Sequence, residues 1–173
     1  MNVYHVTWVT HSSRVSERMV TYKVKSGEPL LLDDDLELEI TRYIAEIVKE
    51  NNLQVLAYNI CRDHVHMILV CDSSNLNTIV GKLKGKSGFL FKKAHNIIDT
   101  FHLWGQKFHA EEIKSEEQIE KTINYVRFNR EKHGLSFNKG LQPLVTSMTT
   151  PVEGLFKAIN KTTSGGATAQ LIS

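Results

Sequence analysis

His64 and His66 stand two residues apart in "CRDHVHMILVC" (61–71), at the start of an otherwise apolar run. In an extended chain successive side chains alternate, so both imidazoles face one side and Val65 the other. Two imidazoles about 6–7 Å apart along a strand can reach one metal ion or one anionic group. A second pair of groups lies in "INYVRFNREKHGL" (123–135), where Tyr125, Asn129 and His133 recur every four residues. At helical spacing they form a stripe beside the apolar one of Ile119, Ile123 and Val126. Two neutral imidazoles and an amide oxygen are ligands for a divalent ion, with positions left open for substrate oxygens. A phenol, with an ordinary pKa of about 10, is a poor nucleophile near neutrality. It attacks when a metal polarises the electrophile and a nearby base or ion takes up the proton. A covalent tyrosyl intermediate keeps the energy of the broken bond, which serves transfer rather than hydrolysis. The inert alternatives are hydrogen-bonded histidines at a strand entrance and a half-buried tyrosine that anchors its helix.

Charge suggests the electrophile. The 173-residue, 19.7 kDa chain has a net charge of +2 and a pI near 8.5, which permits a nucleic-acid partner without requiring one. Its distribution is more telling. "KLKGKSGFLFKK" (82–93) gathers Lys82, Lys84, Lys86, Lys92 and Lys93 without an acid, whereas the acids sit in "DDDLELE" (33–39) and "EEIKSEEQIE" (111–120). Such separation leaves one face basic, as a phosphate backbone requires. Phosphate contacts are therefore expected from Lys82, Lys84 and Lys86, with Lys92, Lys93 and Arg127 as further candidates. The two cysteines, Cys61 and Cys71, belong to no ligand pattern and fit a reducing compartment. No signal peptide is read at the N-terminus, and no apolar stretch reaches the roughly 18–20 residues that span a bilayer. A cytoplasmic protein is expected, with no membrane partner.

The elements that must position these groups follow from periodicity. "VYHVTWVTH" (3–11), "ERMVTYKVK" (17–25), "LQVLAYNI" (53–60), the histidine strand and 100–113 read as strands. Helices are expected from Asp33 to 50, from about 75 to 94, and from about 115 to 133. The last has Ser115 as N-cap, Gln118 in capping-box position and Gly134 as terminator. With 17–25 as an addition, the order is β-α-β-β-α-β. This is an α+β, ferredoxin-like (RRM-like) antiparallel sheet with helices on one face and an added C-terminal helix. One functional domain is expected over 1–145. Residues 146–173 are expected to form a short helix, at Pro151–Ile159, and a flexible Thr/Ser/Gly tail.

"DHVHMILV", "LKGKSGFLFKK", "FHLWGQKFHAEEI" and "INYVRFNREKHGL", in this order, resemble the single-tyrosine HUH transposases, named for a histidine, hydrophobic, histidine motif. Within that superfamily the chain most resembles the REP-associated tyrosine transposases and the small single-strand insertion-sequence transposases, from about Tyr4 to Leu135. The resemblance implies cleavage and joining of hairpin-bearing single-stranded DNA through a 5′-phosphotyrosine. It makes Tyr125 the nucleophile and His64, His66 and Asn129 the ligands of Mg²⁺ or Mn²⁺; imidazole ligation alone leans towards Mn²⁺. Arg62-Asp63 and Arg130 stand where family members often have Pro-Asn and a proline. Three other readings compete: a domesticated nickase, a non-catalytic single-strand-binding module, and a structural Zn²⁺ site recruiting His102 or His109. Monomer and homodimer remain open.

Overall fold

A computed structural model describes residues 1–13, 21, 27–97 and 100–152. Four strands form one antiparallel sheet: β1 (Asn2–Thr10), β2 (Gln54–Cys61), β3 (His64–Cys71) and β4 (Trp104–Ile113), in the order β2-β3-β1-β4. That is the order the split βαβ plan requires. The expected strand at 17–25 lies outside the described residues except for Thr21, which is helical. The expected helix at Pro151–Ile159 and the tail are also outside them beyond Val152.

β3 is buried along its whole length, which explains its nearly continuous apolar run. Its alternate residues serve two cores. Val65, Met67 and Leu69 join Val6, Trp8, Ile40, Ile44 and Leu83 under α1 (Asp34–Glu50) and α2 (Leu76–Ala94). Ile68 and Val70 point the other way and join Val3, Ile119, Ile123 and Val126 under α3 (Glu116–Arg127). His64 and His66 share the parity of Ile68 and Val70. They therefore face α3.

Local signals account for the helix ends. Asp33 accepts a hydrogen bond from the Leu36 amide at 2.9 Å, and Asp34, Asp35 and Glu37 fill the positive first turn of α1. Ser115 accepts from the Gln118 amide at 3.2 Å. Gln118 Oε1, however, accepts from the Lys114 amide instead of reaching the Ser115 amide, so the capping box is displaced by one residue.

One expectation is corrected. The helix expected over 115–133 is interrupted at Phe128 and resumes as a single turn, α4 (Asn129–Lys132), before Gly134 closes it at φ 66°. The cause is tertiary: Asn59 Nδ2 on β2 donates to the carbonyls of Val126 at 2.7 Å and Arg127 at 3.1 Å. These are carbonyls that a continuing helix would have bonded to the amides of residues 130 and 131. A further helix, α5 (Leu141–Met148), spans position 145. Its Leu141 and Met148 join the first core, and the Thr150 amide donates to Val55 O at 2.7 Å. Pro143 is no obstacle to this helix, since in a first turn its missing N–H costs nothing.

Candidate active site

β3 enters the sheet at His64, immediately after the two-residue link Arg62-Asp63. The link places Asp63 Oδ1 2.6 Å from His64 Nδ1. A carboxylate only accepts, so Nδ1 carries a proton, and in the neutral form of the ring Nε2 is the nitrogen that keeps a lone pair on the far side. That atom lies 3.1 Å from Asn129 Oδ1, which α4 brings in from beyond the helix break. The same oxygen accepts from Cys61 Sγ at 3.1 Å, and burial pushes the Cys61 thiol up to about 12, keeping it an S–H donor. Asn129 is fully buried, and its Nδ2 has no hydrogen-bond partner among the described residues.

His66 is equally buried, and its ring stands edge-on to His64 at 4.9 Å between centroids. Its Nδ1 lies 2.9 Å from His5 Nε2 and 3.0 Å from Thr7 Oγ1, both on β1. The Tyr125 ring stands edge-on to His66 at 5.5 Å and to His5 at 5.8 Å; the residue is 39% exposed. Lys132 Nζ lies 4.4 Å from the centre of the Tyr125 ring, and the His133 ring is 4.9 Å from His64. The fold thus brings Tyr125, Asn129, His64 and His66 together on one sheet face. Sequence reading missed His5, Thr7, Asp63 and Lys132 as neighbours of this cluster. The signal for the first two was available: His5 and Thr7 are polar residues at i and i+2 in an apolar strand, with the spacing of the histidine pair itself. What the sequence lacked was the register that sets Thr7 opposite His66.

The basic helix is not beside this cluster. α2 packs on the opposite face of the sheet. Lys82 Nζ donates to Asn51 Oδ1 at 2.8 Å, and Lys86 pairs with Glu50. Lys84 donates to the carbonyls of Gln106 and Lys107, each at 3.0 Å, and burial lowers its pKa. Lys84 and Lys92 flank a groove of about 460 Å³ between α2 and β4, with Phe89 and Phe108 also in its walls. Lys93 lies in the last turn of α2. Arg127 is exposed in the last turn of α3, on the face that carries the histidines.

The residues present fit a divalent cation. Among the described residues no three His, Cys, Asp or Glu side chains cluster to hold a metal; the Asn129 amide oxygen is the further protein donor beside the histidine pair. His64 Nε2 and Asn129 Oδ1 face each other at 3.1 Å. Ligand bonds of about 2.1 Å at right angles put donor atoms about 3.0 Å apart, so this spacing suits two neighbouring ligands of one ion. His102 is 5.6 Å ring to ring from His11, and His109 is exposed on β4; neither joins His64.

Residues 3–129 match the family model described as Transposase IS200 like. A solved structure of a REP-associated tyrosine transposase bound to a REP hairpin superposes with a TM-score of 0.52 at 14% identity, covering 78% of this chain and 70% of that one. A crystal structure of a protein from Deinococcus radiodurans R1, described as a transposase, gives 0.50 at 20% identity, covering 72% and 88%. At these identities the two structures establish a shared fold. No curated protein matches the sequence.

Proposed function

The chain belongs to the IS200-like transposase family, and from that premise we propose that Tyr125 cleaves and rejoins single-stranded DNA beside a divalent ion. The observation that carries the proposal is the placement of the Tyr125 ring 5.5 Å from His66, on the face where His64 and Asn129 meet. In the proposed reaction Tyr125 Oη attacks a backbone phosphorus, the P–O3′ bond breaks, and the 3′ oxygen leaves as a hydroxyl. The phenol loses its proton towards solvent, to which this half-exposed side chain is open. The products are a 5′-phosphotyrosine and a free 3′ end. Attack by a second 3′ hydroxyl reverses the chemistry, joining the strands and restoring the phenol.

His64 Nε2, Asn129 Oδ1 and His66 would hold Mg²⁺ or Mn²⁺, which when bound neutralises and polarises the phosphate oxygens. Asp63 keeps the proton of His64 on Nδ1, away from the ligand atom. Lys132, above the Tyr125 ring, and Arg127 supply positive charge at the same mouth. Lys82, Lys84, Lys86, Lys92 and Lys93 would bind the strand beyond the reacting phosphate. The hairpin held by the REP-associated protein favours a hairpin-bearing single strand as the substrate. A non-catalytic binding module would have no use for a buried histidine pair facing an amide oxygen and an exposed tyrosine.

The test is end-labelled hairpin DNA incubated with the protein and Mn²⁺ or Mg²⁺. The wild type forms an SDS-resistant protein–DNA adduct; Tyr125→Phe and a chelated sample form none while still binding DNA. An adduct that persists in Tyr125→Phe would assign the nucleophile elsewhere.

A further inference from the structure

His66 has two polar neighbours at a single ring nitrogen. His5 Nε2 is 2.9 Å and Thr7 Oγ1 is 3.0 Å from His66 Nδ1. Strand register makes this so: Thr7 pairs with His66 and His5 with Ile68, so all three polar side chains emerge on the same sheet face. In a neutral imidazole each ring nitrogen either donates one N–H or accepts through one in-plane lone pair. As an acceptor, Nδ1 would need two donors to crowd onto one lone pair. As a donor, its single N–H is shared between two acceptors, a three-centre geometry that proteins use often.

We infer that His5, with Thr7, fixes His66 in the Nδ1–H tautomer and so directs the Nε2 lone pair to the cation; His5 is a positioning residue of the metal site. This rests on the metal reading proposed above. His64 is fixed in the same sense by a different device, the carboxylate of Asp63. Both histidines then carry their protons on Nδ1 and keep Nε2 for ligation, although one is set by an anion and the other by neutral groups. Fixing ring orientation and tautomer in this way is how groups behind a ligand raise metal affinity. The His5 and His66 rings lie side by side, 24° from coplanar with centroids 5.1 Å apart, and His5 meets the Tyr125 ring edge-on at 5.8 Å. One side chain on β1 therefore backs both the ligand and the proposed nucleophile.

Two measurements on the full chain without DNA test the inference. Long-range ¹H–¹⁵N correlation of the wild type reads the His66 tautomer directly; Nδ1–H is expected, and Nε2–H overturns the proposal without any variant. Mn²⁺ titration by calorimetry then compares the wild type with His5→Ala, His5→Gln and His5→Ala/Thr7→Val. His5→Ala is expected to weaken Mn²⁺ binding about 10–100-fold, the usual effect of losing a group behind a metal ligand. His5→Gln, whose Oε1 still accepts from Nδ1, recovers most of that affinity. Unchanged Mn²⁺ affinity in a folded double variant overturns the proposal. A wild type with Nδ1–H that binds no Mn²⁺ sinks the metal reading and the positioning role with it, while leaving the tautomer assignment standing.

Discussion

Asn129 is the residue on which the site's two demands meet. Its Oδ1 accepts from Cys61 and faces His64 Nε2, while its Nδ2 is buried and has no partner among the described residues. An amide so placed is costly to the fold, since an unsatisfied buried donor costs about 1–3 kcal/mol. Asn129→Leu is therefore expected to change stability by less than a typical buried polar loss, with thermal melts as the check. Its Mn²⁺ affinity and adduct yield should fall sharply. A large drop in melting temperature with Mn²⁺ binding intact would make Asn129 a structural residue only. Tyr125 gives the opposite pattern: Tyr125→Phe should leave melting and metal binding alone and abolish the adduct. Lys132→Ala, removing the cation 4.4 Å from the phenol ring, should slow adduct formation without abolishing it.

At the level of elements, the break at Phe128 decides where the nucleophile and the amide point. Asn59 holds the end of α3 through two carbonyls, and Arg130 holds α4 from the other side. Arg130 is buried, pairs with Glu37 on α1, and donates to Ile60 O at 3.1 Å and Ser136 O at 3.1 Å. The arginine that follows Asn129 is thus a clamp between the site's last turn and the scaffold. Asn59→Ala should cost about 1–3 kcal/mol, the loss of two hydrogen bonds near a helix end, and should slow adduct formation as well. Arg130→Met leaves the Glu37 carboxylate buried without its partner, an expected loss of about 3–5 kcal/mol; Glu37→Leu/Arg130→Met should recover most of it. Denaturant melts of the two variants provide the comparison. Glu37 adds a pH signature. Burial raises its carboxyl pKa, and Arg130 pulls it back by less. A carboxyl that titrates higher folded than unfolded stabilises the fold at acid pH and loses that contribution as pH rises through its folded value. The melting temperature of the wild type relative to Glu37→Gln should accordingly decline as pH rises from about 4, the unperturbed glutamate range.

For the molecule as a whole, the sheet is a partition. One face carries the histidines, Tyr125 and Asn129; the other carries α2 with its lysines. The β4 edge, to which Lys84 ties α2, has no neighbour in the sheet among the described residues and offers a strand of DNA a route from one face to the other. Lys82→Ala/Lys84→Ala/Lys86→Ala should flatten the log–log salt dependence of DNA binding, by about 0.7 for each single-strand phosphate that the protein no longer neutralises. Because these lysines lie away from the chemistry, adduct formation on a short oligonucleotide at saturation should change little. An unchanged slope would place the DNA on another surface. Lys84 is the least replaceable of the three, since its bonds to Gln106 and Lys107 tie α2 to β4.

The sequence by itself determined the β-α-β-β-α-β order of the core, the single-face placement of His64 and His66, and the helical spacing of Tyr125. These depend on periods of two and 3.6 residues, which the chain writes locally. It determined the Ser115 N-cap of α3 just as locally. Other features depend on partners distant in sequence. The break at Phe128 is made by Asn59, 67 and 68 residues before the carbonyls it binds. α5 is held by a core built from the strands and helices before it. Thr7 and His5 meet His66 only because β1 and β3 pair in one register. Which face the basic helix takes was equally invisible, because a run of lysines states its charge but not the side of the sheet on which its apolar residues Val80, Leu83 and Phe91 will be buried. Tertiary structure decided that, through the burial of those three side chains against the core opposite the histidines.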